Sequence, residues 1–219
     1  MQGLFITFEG GEGSGKSTQI VEIANWIKAH YPKQEIVITR EPGGTVPAEE
    51  IRHILVNGDK DKITPQTEAL LMIAARTENV HKIIKPALDR GAVILCDRFA
   101  DSSRVYQALA HGKSIEKIDA LHEFGFDNLQ PDITFYLDIP PEEGLERATR
   151  RISDIADNTE SRFEDKGLDF HKRVRDGYLT LASLFPDRFE IINGSQKIDV
   201  ITDHITQIIT KKVKELHER

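Results

Sequence analysis

The chain has 219 residues, of which 39% are hydrophobic and 30% are charged, and its formal net charge at pH 7 is −7. This length suits one α/β domain with a substantial core, and no run approaches the roughly 18 apolar residues that a membrane span requires. The negative net charge argues against general binding to nucleic-acid polymers, which requires a basic face.

The first predicted element is a strand at 4–8 that leads directly into a glycine-rich loop. The loop at 10–17 reads GGEGSGKS, which fits the pattern G-x-x-x-x-G-K-S, and a helical pattern follows it. This order of strand, loop and helix is typical of a P-loop, whose backbone N–H groups surround phosphate oxygens. Lys16 can reach the outer phosphates, and the Ser17 hydroxyl can hold Mg²⁺. The predicted triphosphate-binding residues are Gly10, Gly11, Glu12, Gly13, Ser14, Gly15, Lys16, Ser17 and Thr18.

Four further β-type runs follow at 36–39, 92–96, 133–137 and 189–192, and helical patterns separate them. The runs are mostly continuous rather than alternating, as expected for parallel strands buried on both faces. One of the helical stripes consists of Ile51, Ile54 and Leu55. Strands that alternate with helices form βαβ units. We therefore predict an α/β fold of the three-layer P-loop NTPase type, with a five-stranded parallel sheet flanked by helices, in a single domain over 1–219.

The chain contains one cysteine, Cys96, in the third apolar run, where we expect a buried structural thiol. It cannot form an internal disulfide, which fits a reducing compartment. No export signal precedes the first strand. We therefore expect a cytoplasmic protein without a membrane anchor.

Charged residues stand at the ends of three predicted strands. Glu9 follows the first strand, Arg40 and Glu41 follow the second, and Asp97 and Arg98 follow the third. In parallel α/β sheets, ligands bind beyond the carboxyl ends of the strands. We therefore expect these charges to surround the ligand bound at the P-loop.

A group of arginines, Arg147, Arg150 and Arg151, precedes a polar segment at 153–161 that we interpret as a mobile loop. A kinase must close a lid over the phosphates to exclude water, and arginine is well suited to stabilise the transferring group. We predict a short lid at approximately 147–163. The alternative, that these arginines form a solvated helix face, stays open.

Several classes of P-loop protein are disfavoured by the motifs that the chain does not contain. It has no Asn-Lys-x-Asp string of the kind that GTPases use to read guanine, and no LSGGQ-like signature of the ABC ATPases. Its length, the Asp97-Arg98 pair and the arginine-rich segment favour a kinase that transfers a phosphoryl group to a small molecule.

The chain resembles the bacterial thymidylate kinases over nearly its whole length. The motifs that carry the resemblance are FEGGEGSGKST at 8–18, TREPGGT at 39–45, AAR at 74–76, DRFADSS at 97–103, YQ at 106–107 and YLDIPPEEGL at 136–145. The resemblance implies phosphorylation of dTMP to dTDP by direct in-line transfer, with ATP as the donor and Mg²⁺ as the cofactor. It also implies a homodimer.

For the acceptor phosphate, the resemblance implies that Arg52 and Arg98 hold the group and that Arg40 stands beside it. It further implies a cis peptide between Glu41 and Pro42 that shapes the turn at this place.

For catalysis, the resemblance implies that Mg²⁺ or its waters are held by Ser17, Glu9 and Asp97, with Glu9 also near the 3′-hydroxyl of the deoxyribose. Because the P-loop carries Glu12 rather than an arginine, the catalytic arginines would lie in the lid. The implied catalytic residues are Lys16, Asp97, Arg98, Arg147, Arg150 and Arg151, together with Arg162 unless it pairs locally with Glu164.

For the base, the resemblance implies that Arg76 faces the carbonyl edge of thymine, with Ser103 and Gln107 nearby. Tyr106 would pack against the 2′ carbon and exclude a ribose hydroxyl. Met72 stands where the family usually has a Phe or Tyr that stacks on the base, and a thioether orients a ring less sharply.

Arg104 is a second departure, since the family generally has a smaller or uncharged residue there. Pointing inward, Arg104 would add positive charge to the acceptor pocket; we expect it to point outward, to the surface. Two other functions stay open, a kinase for dUMP or another pyrimidine monophosphate and an ATP-binding switch without an acceptor pocket.

Overall fold

The computed structural model describes residues 3–57, 62–153 and 166–217, without the side chains of 151–153 and 214–217. Its sheet contains five parallel strands in the order β2-β3-β1-β4-β5. The strands are β1 (Leu4–Glu9), β2 (Ile36–Arg40), β3 (Val93–Asp97), β4 (Ile133–Asp138) and β5 (Phe189–Asn193). The predicted five-stranded parallel sheet is confirmed.

Helices alternate with the strands along the chain. The helices are α1 (Lys16–His30), α2 (Val46–Val56), α3 (Pro65–Asn79), α4 (Lys85–Asp89), α5 (Ala100–Ser103), α6 (Glu116–Phe126), α7 (Pro141–Ser153), α8 (Leu168–Leu184) and α9 (Ile198–His217). A π-helical segment, Val80–Ile84, joins α3 to α4, and a second one, Arg104–Ala108, follows α5. Local sequence explains several helix starts: the hydroxyls of Thr45 and Thr64 cap α2 and α3, each followed by a proline in the first turn.

The two faces of the sheet carry separate cores. Ile6 and Leu95 face the side covered by α1 and α9, where Ile23 and Ile205 are fully buried against them. Alternate residues of the same strands face the opposite side, where α4, α6 and the first π-helical segment contribute the apolar partners. Helices on both faces of one sheet give the predicted three layers.

The edge strands differ from the expectation of strands buried on both faces. β1, β3 and β4 are almost entirely buried, whereas β2 and β5 expose several of their residues, including Ile38 and Ile191. In α2, Ile54 is exposed while its neighbour Leu55 is fully buried, so the predicted stripe was wrong at that position. Cys96 is buried, and burial raises the pKa of its thiol well above the usual value.

The sheet order sets the place of the site. β1 lies between β3 and β4, and β3 pairs with β2, so the carboxyl ends of the first three strands along the chain are neighbours. Glu9, Arg40 and Asp97 are the last residues of these strands. Within the described residues, no helix is both long enough and apolar enough to cross a lipid bilayer.

Candidate active site

The glycine-rich loop leaves β1 and turns into α1 through residues that need left-handed backbone. Gly13 has φ 66° and Gly15 has φ 93°, values that side-chain-bearing residues rarely adopt. A Cβ on Gly13 would also collide with the carbonyl of Gly144 at the start of α7. Glycine is therefore required here both for the turn and for the close approach of a neighbouring helix.

Lys16 is the first residue of α1, and its side chain folds back over the loop. Its Nζ donates to the carbonyl oxygens of Gly10 at 3.2 Å and Gly11 at 2.9 Å, and to Ser14 Oγ at 3.3 Å. Burial, together with the positive charge of Arg98, lowers the pKa of Lys16 to about 8. A phosphate oxygen that bound next to this poorly hydrated ammonium group would strongly stabilise its positive charge.

Ser17 and Asp97 form the oxygen pair beside the loop. Ser17 Oγ donates to Asp97 Oδ2 at 2.9 Å, which joins α1 to the end of β3. Mg²⁺ prefers oxygen ligands and is usually bound by one or two protein groups together with phosphate and water. In the described part of the chain, no group of three His, Cys, Asp or Glu residues could hold a metal by itself. A hydroxyl and a carboxylate next to a phosphate-binding loop therefore fit Mg²⁺ that arrives with a nucleotide.

A cavity of about 530 Å³ opens in front of the loop. One wall is the P-loop from Glu12 onward, and Asp97 lies at its floor. The cavity also carries four arginines, which are Arg40, Arg52, Arg98 and Arg147. Four charged guanidinium groups around one cavity favour a highly anionic ligand.

Arg98, one of the cavity arginines, is held by contacts at both of its terminal nitrogens. Its backbone has φ 65°, which is uncommon for a residue other than glycine and is concentrated at functional sites. Its Nη2 donates to Glu12 at 2.8 Å, while Nη1 donates to Ser102 and Tyr178. Its guanidinium also lies over the ring of Tyr106, with 5.1 Å between the guanidinium carbon and the ring centroid.

Arg52 and Arg40 contact the turn after β2 and the helix that follows it. Arg52 Nη1 donates to the carbonyl of Pro42 at 2.9 Å, next to the Glu41–Pro42 peptide, which is cis as the resemblance implies. Arg40 pairs with Glu49, and both side chains are largely exposed. Both arginines border the cavity.

Glu9 lies at the same strand end but is fully buried. Its Oε1 accepts from the Phe99 backbone N–H at 2.8 Å, and its Oε2 accepts from Ser102 Oγ at 2.6 Å and from the Tyr178 hydroxyl at 2.8 Å. Burial, together with the nearby carboxylate of Asp101, raises the pKa of Glu9 to about 7. The predicted metal role of Glu9 would therefore act through water or require one of these bonds to give way.

Arg76 lies at the centre of a buried polar cluster between α3, α5 and α6. Its Nε forms an ion pair with Glu41, and both side chains are buried. Nη1 donates to Ser103 Oγ at 2.9 Å and to His122 Nε2 at 3.1 Å, and Nη2 donates to the Phe99 carbonyl at 2.9 Å. The structure thus brings Arg76 and Ser103 together, as expected from the sequence.

Further residues of α3 and of the second π-helical segment lie next to the Arg76 cluster. Glu68, Met72 and Arg76 are spaced four residues apart on α3 and therefore share one face of that helix. Gln107 Nε2 donates to Glu68 Oε1 at 2.9 Å, which places the second π-helical segment against this face. Met72, on this face of α3, is half-buried.

The expectation that Arg104 points to the surface was wrong. Its side chain is 2% exposed and donates to Asp101 and Asp119 at 2.8 Å and 2.7 Å. Asp101 is itself fully buried and also accepts from Arg188, and the two guanidinium groups lower the pKa of Asp101. Two carboxylates thus compensate the charge of Arg104, and this pairing offsets the cost of removing its guanidinium from water.

The predicted lid is described in part. Arg147 lines the cavity, and its Nη1 donates to the Gly194 carbonyl at 2.9 Å. Arg150 is exposed and pairs with Glu146 one helical turn away. The side chain of Arg151, the segment 154–163 and Arg162 lie outside the described residues.

Sequence reasoning missed two parts of the site. Ser102 and Tyr178 hold both Glu9 and Arg98, and Tyr178 comes from α8, 169 residues after Glu9. Part of the cavity lining comes from Gly194, Gln196, Ile198 and Ile201, after the last strand. A signal for this second part was available, because Gly194 directly follows the carboxyl end of β5, where a parallel sheet binds ligands.

Comparison with known proteins agrees with this geometry. The thymidylate kinase family model matches residues 8–205 of the chain. A thymidylate kinase from Caulobacter vibrioides is 46% identical over 212 residues, covering 97% of this chain and 98% of the relative. One from Lactobacillus acidophilus is 42% identical over 219 residues, covering 100% of this chain and 96% of the relative.

A solved structure shares the fold. The crystal structure of thymidylate kinase from Ehrlichia chaffeensis superposes with a TM-score of 0.77 and 32% sequence identity. The match covers 95% of this chain and 100% of that one. The likeness therefore extends over the sheet and its helices and is not restricted to the phosphate-binding loop.

Proposed function

This chain belongs to the thymidylate kinase family, and from that premise we propose that it transfers the γ-phosphoryl group of ATP to dTMP, giving ADP and dTDP. The observation that carries the proposal is that one cavity is lined by two separate sets of phosphate-binding groups. The P-loop with Lys16 forms one side, and Arg40, Arg52 and Arg98 form another. A donor and an acceptor phosphate can meet between them, which a triphosphate-binding switch does not need.

We propose that the P-loop N–H groups and Lys16 bind the donor phosphates. Arg98 and Arg52 bind the acceptor monophosphate, and Arg40 supports it from the cavity rim. Arg147, Arg150 and Arg151 complete the charge neutralisation from α7 and its lid over 147–163. In this arrangement catalysis consists of positioning and electrostatic stabilisation of a direct in-line transfer, with no covalent enzyme intermediate.

Ser17 and Asp97 are the residues that would hold Mg²⁺, with Glu9 acting on its waters. The metal supplies neutralisation of charge on the phosphate oxygens. The protein's part is to keep the Ser17–Asp97 pair in place, and the 2.9 Å bond between α1 and β3 supports this. Gln196, Ile198 and Ile201 form the part of the cavity available to the adenine ring.

For the acceptor nucleoside, we propose that the shared face of α3 and the segment from Ser103 to Gln107 form the base pocket. Met72 covers the ring, Arg76 and Ser103 face its carbonyl edge, and Gln107 lies nearby. Tyr106 packs against the sugar. Support comes from the Arg76–Ser103 and Gln107–Glu68 bonds, which bring the two segments together.

We also propose a cytoplasmic homodimer formed by one domain per chain. Ile54 on α2, Leu70 on α3 and Phe124 on α6 are exposed apolar residues, and Phe124 is 91% exposed. The three helices are neighbours, since α3 packs against both α2 and α6. Exposed apolar residues on adjacent helices favour a protein contact.

The experiment that tests this function is a coupled ADP-release assay with ATP and Mg²⁺ against dTMP, dUMP, UMP, dCMP, AMP and GMP. We expect a clear preference for dTMP. Comparable activity with several pyrimidine monophosphates would replace the assignment with a less selective pyrimidine kinase. No acceptor-dependent ADP, together with thermal stabilisation by ATP but not by dTMP, would overturn the proposal in favour of a switch.

A further inference from the structure

His122 contacts the arginine that faces the acceptor base. It lies on α6, is 0% exposed, and its Nε2 is 3.1 Å from Nη1 of Arg76. A guanidinium has only donors, so Nε2 must be the acceptor of this hydrogen bond. The imidazole is therefore neutral and carries its proton on Nδ1.

Asp119 favours the same tautomer from the other side of the ring. It lies one turn earlier on α6, and its Oδ1 is 3.7 Å from Nδ1 of His122, which is an electrostatic contact longer than a hydrogen bond. The same oxygen accepts from Nε of Arg104 at 2.7 Å. A line of contacts thus connects Arg104, through Asp119 and His122, to Arg76.

The contacts of Arg76 leave one donor unassigned. Its five N–H groups include those given to Glu41, Ser103, His122 and the Phe99 carbonyl. One hydrogen on Nη2 has no partner in the described part of the chain. His122 accepts one of the two hydrogens on Nη1, whereas Glu41 accepts the hydrogen on Nε. Because the two partners bind different nitrogens, together they limit rotation and tilt of the guanidinium plane.

We propose that His122 is a positioning residue for base recognition, holding the guanidinium of Arg76 so that its remaining N–H meets a carbonyl oxygen of the acceptor base. This inference rests on the proposed function, because it assumes that Arg76 faces the base. A pyrimidine with a carbonyl at its 4 position offers an acceptor to that N–H, whereas a 4-amino group offers a donor. His122 therefore contributes to the choice of a keto pyrimidine over cytosine.

The test compares two substitutions that differ in whether an acceptor remains. His122→Leu removes the acceptor and leaves an Nη1 hydrogen of Arg76 without a partner, and we expect the KM for dTMP to rise about tenfold. The preference for dTMP over dCMP should fall by a similar factor, while kcat and the KM for ATP stay close to wild type. His122→Gln, whose amide oxygen can reach the position of Nε2, should restore most of the loss.

A matched control separates positioning from packing. Ile118→Ala removes a buried side chain from the same helix without any described contact to Arg76. It should lower the Tm and leave both the KM for dTMP and the base preference unchanged. If His122→Leu does not fold, His122→Asn replaces it, because Asn is too short to place an acceptor at Nε2 while still being polar.

The outcomes distinguish this inference from the function on which it rests. A wild-type enzyme without activity on any pyrimidine monophosphate overturns the proposed function. An active wild type whose His122→Leu variant keeps the KM and the base preference overturns the role of His122 alone. Nitrogen-15 NMR of the imidazole gives a readout that does not use activity, and a proton found on Nε2 would overturn the inference as well.

Discussion

Glu12 of the P-loop accepts a hydrogen bond from Arg98 at 2.8 Å, so a carboxylate of the donor site is bound to the arginine proposed for the acceptor phosphate. The two side chains are 20% and 17% exposed, so the pair is partly shielded from water. A bound nucleotide brings further negative charge next to Glu12. Under the proposed function, an entering phosphate would compete with Glu12 for the guanidinium of Arg98.

The first prediction concerns this pair. Glu12→Gln keeps the shape of the side chain and removes its charge, so the KM for ATP should fall about threefold because less repulsion opposes the phosphates. Initial-rate kinetics at low salt measures it. Glu22→Gln, at an exposed site on α1, makes the same change of charge and should have no effect. An unchanged or raised KM for Glu12→Gln would contradict the explanation.

The second prediction concerns Lys16. Lys16→Ala should lower kcat by about two to three orders of magnitude, because a cation preorganised at the transferring group is lost. The fold should persist, since burial lowers the pKa of Lys16 to about 8 and the charged side chain is therefore held at a cost. Turnover and Tm are the measurements, and Lys28→Ala, at an exposed position on the same helix, is the control. Wild-type turnover in Lys16→Ala would end the P-loop interpretation.

The third prediction separates two arginines of α7. Arg147 lines the cavity, whereas Arg150 is exposed and pairs with Glu146. Arg147→Ala should therefore raise the KM for ATP about tenfold. Arg150 is proposed to act only in the closed transition state, so Arg150→Ala should lower kcat about tenfold with little effect on KM. Wild-type kinetics for Arg150→Ala would identify Arg150 as a solvated residue of the helix face.

The fourth prediction concerns the base pocket. Met72→Phe introduces the aromatic ring usual in the family, and stacking on the base should lower the KM for dTMP about threefold. The selectivity for dTMP over UMP should not fall. Gln66→Phe, at an exposed site near the start of α3, adds the same ring outside the pocket and serves as the control. A higher KM for Met72→Phe would show that the pocket has no room for the ring.

The fifth prediction is a dependence of stability on pH. Burial and the facing cations Arg76 and Arg104 together lower the pKa of His122 to about 4, although Asp119 acts in the opposite direction. Between pH 6.5 and 4 the unfolded chain binds a proton at this site that the folded protein does not bind, so stability falls as the pH falls. This loss should be about 2 kcal/mol between pH 7 and pH 5.

Urea denaturation of the wild type and of His122→Gln at both pH values measures the loss. Groups other than His122 titrate in both proteins, so the difference between the two pH dependences reports His122. His122→Gln should lose about 2 kcal/mol less than the wild type over this interval. Parallel pH dependences of the two proteins would show that His122 is protonated in the folded state.

The sequence predicts the central sheet and the phosphate-binding loop because both are encoded locally. The P-loop is a continuous string of residues, and β1, β3 and β4 are continuous apolar runs. Whether a strand lies at an edge depends on the order of strands in space, and no single strand encodes that order. For this reason Ile38 and Ile191, at 56% and 50% exposed, were not anticipated.

The interior of the site was predicted less well because its partners come from distant segments. Arg104 looked like a surface residue because one carboxylate that compensates its charge, Asp119, comes from α6, which packs against the second π-helical segment. The other, Asp101, is three residues away in sequence, but its burial beside Arg188 is a property of the fold. The network around Glu9 is hidden for the same reason, since Tyr178 belongs to α8. Residue type indicates which charges need compensation, whereas the fold determines which group supplies it.

The buried thiol in β3 has a practical consequence for studying the lid. Cys96 is the only cysteine of the chain, it is 0% exposed, and burial raises its pKa, so thiol-directed labels should not modify the native protein. One engineered cysteine on α7 and another on an exposed part of α2 would then be the only reactive positions. Distances measured by spectroscopy between labels at these two positions could then test whether the proposed lid closes. The native cysteine would not have to be removed from the core first.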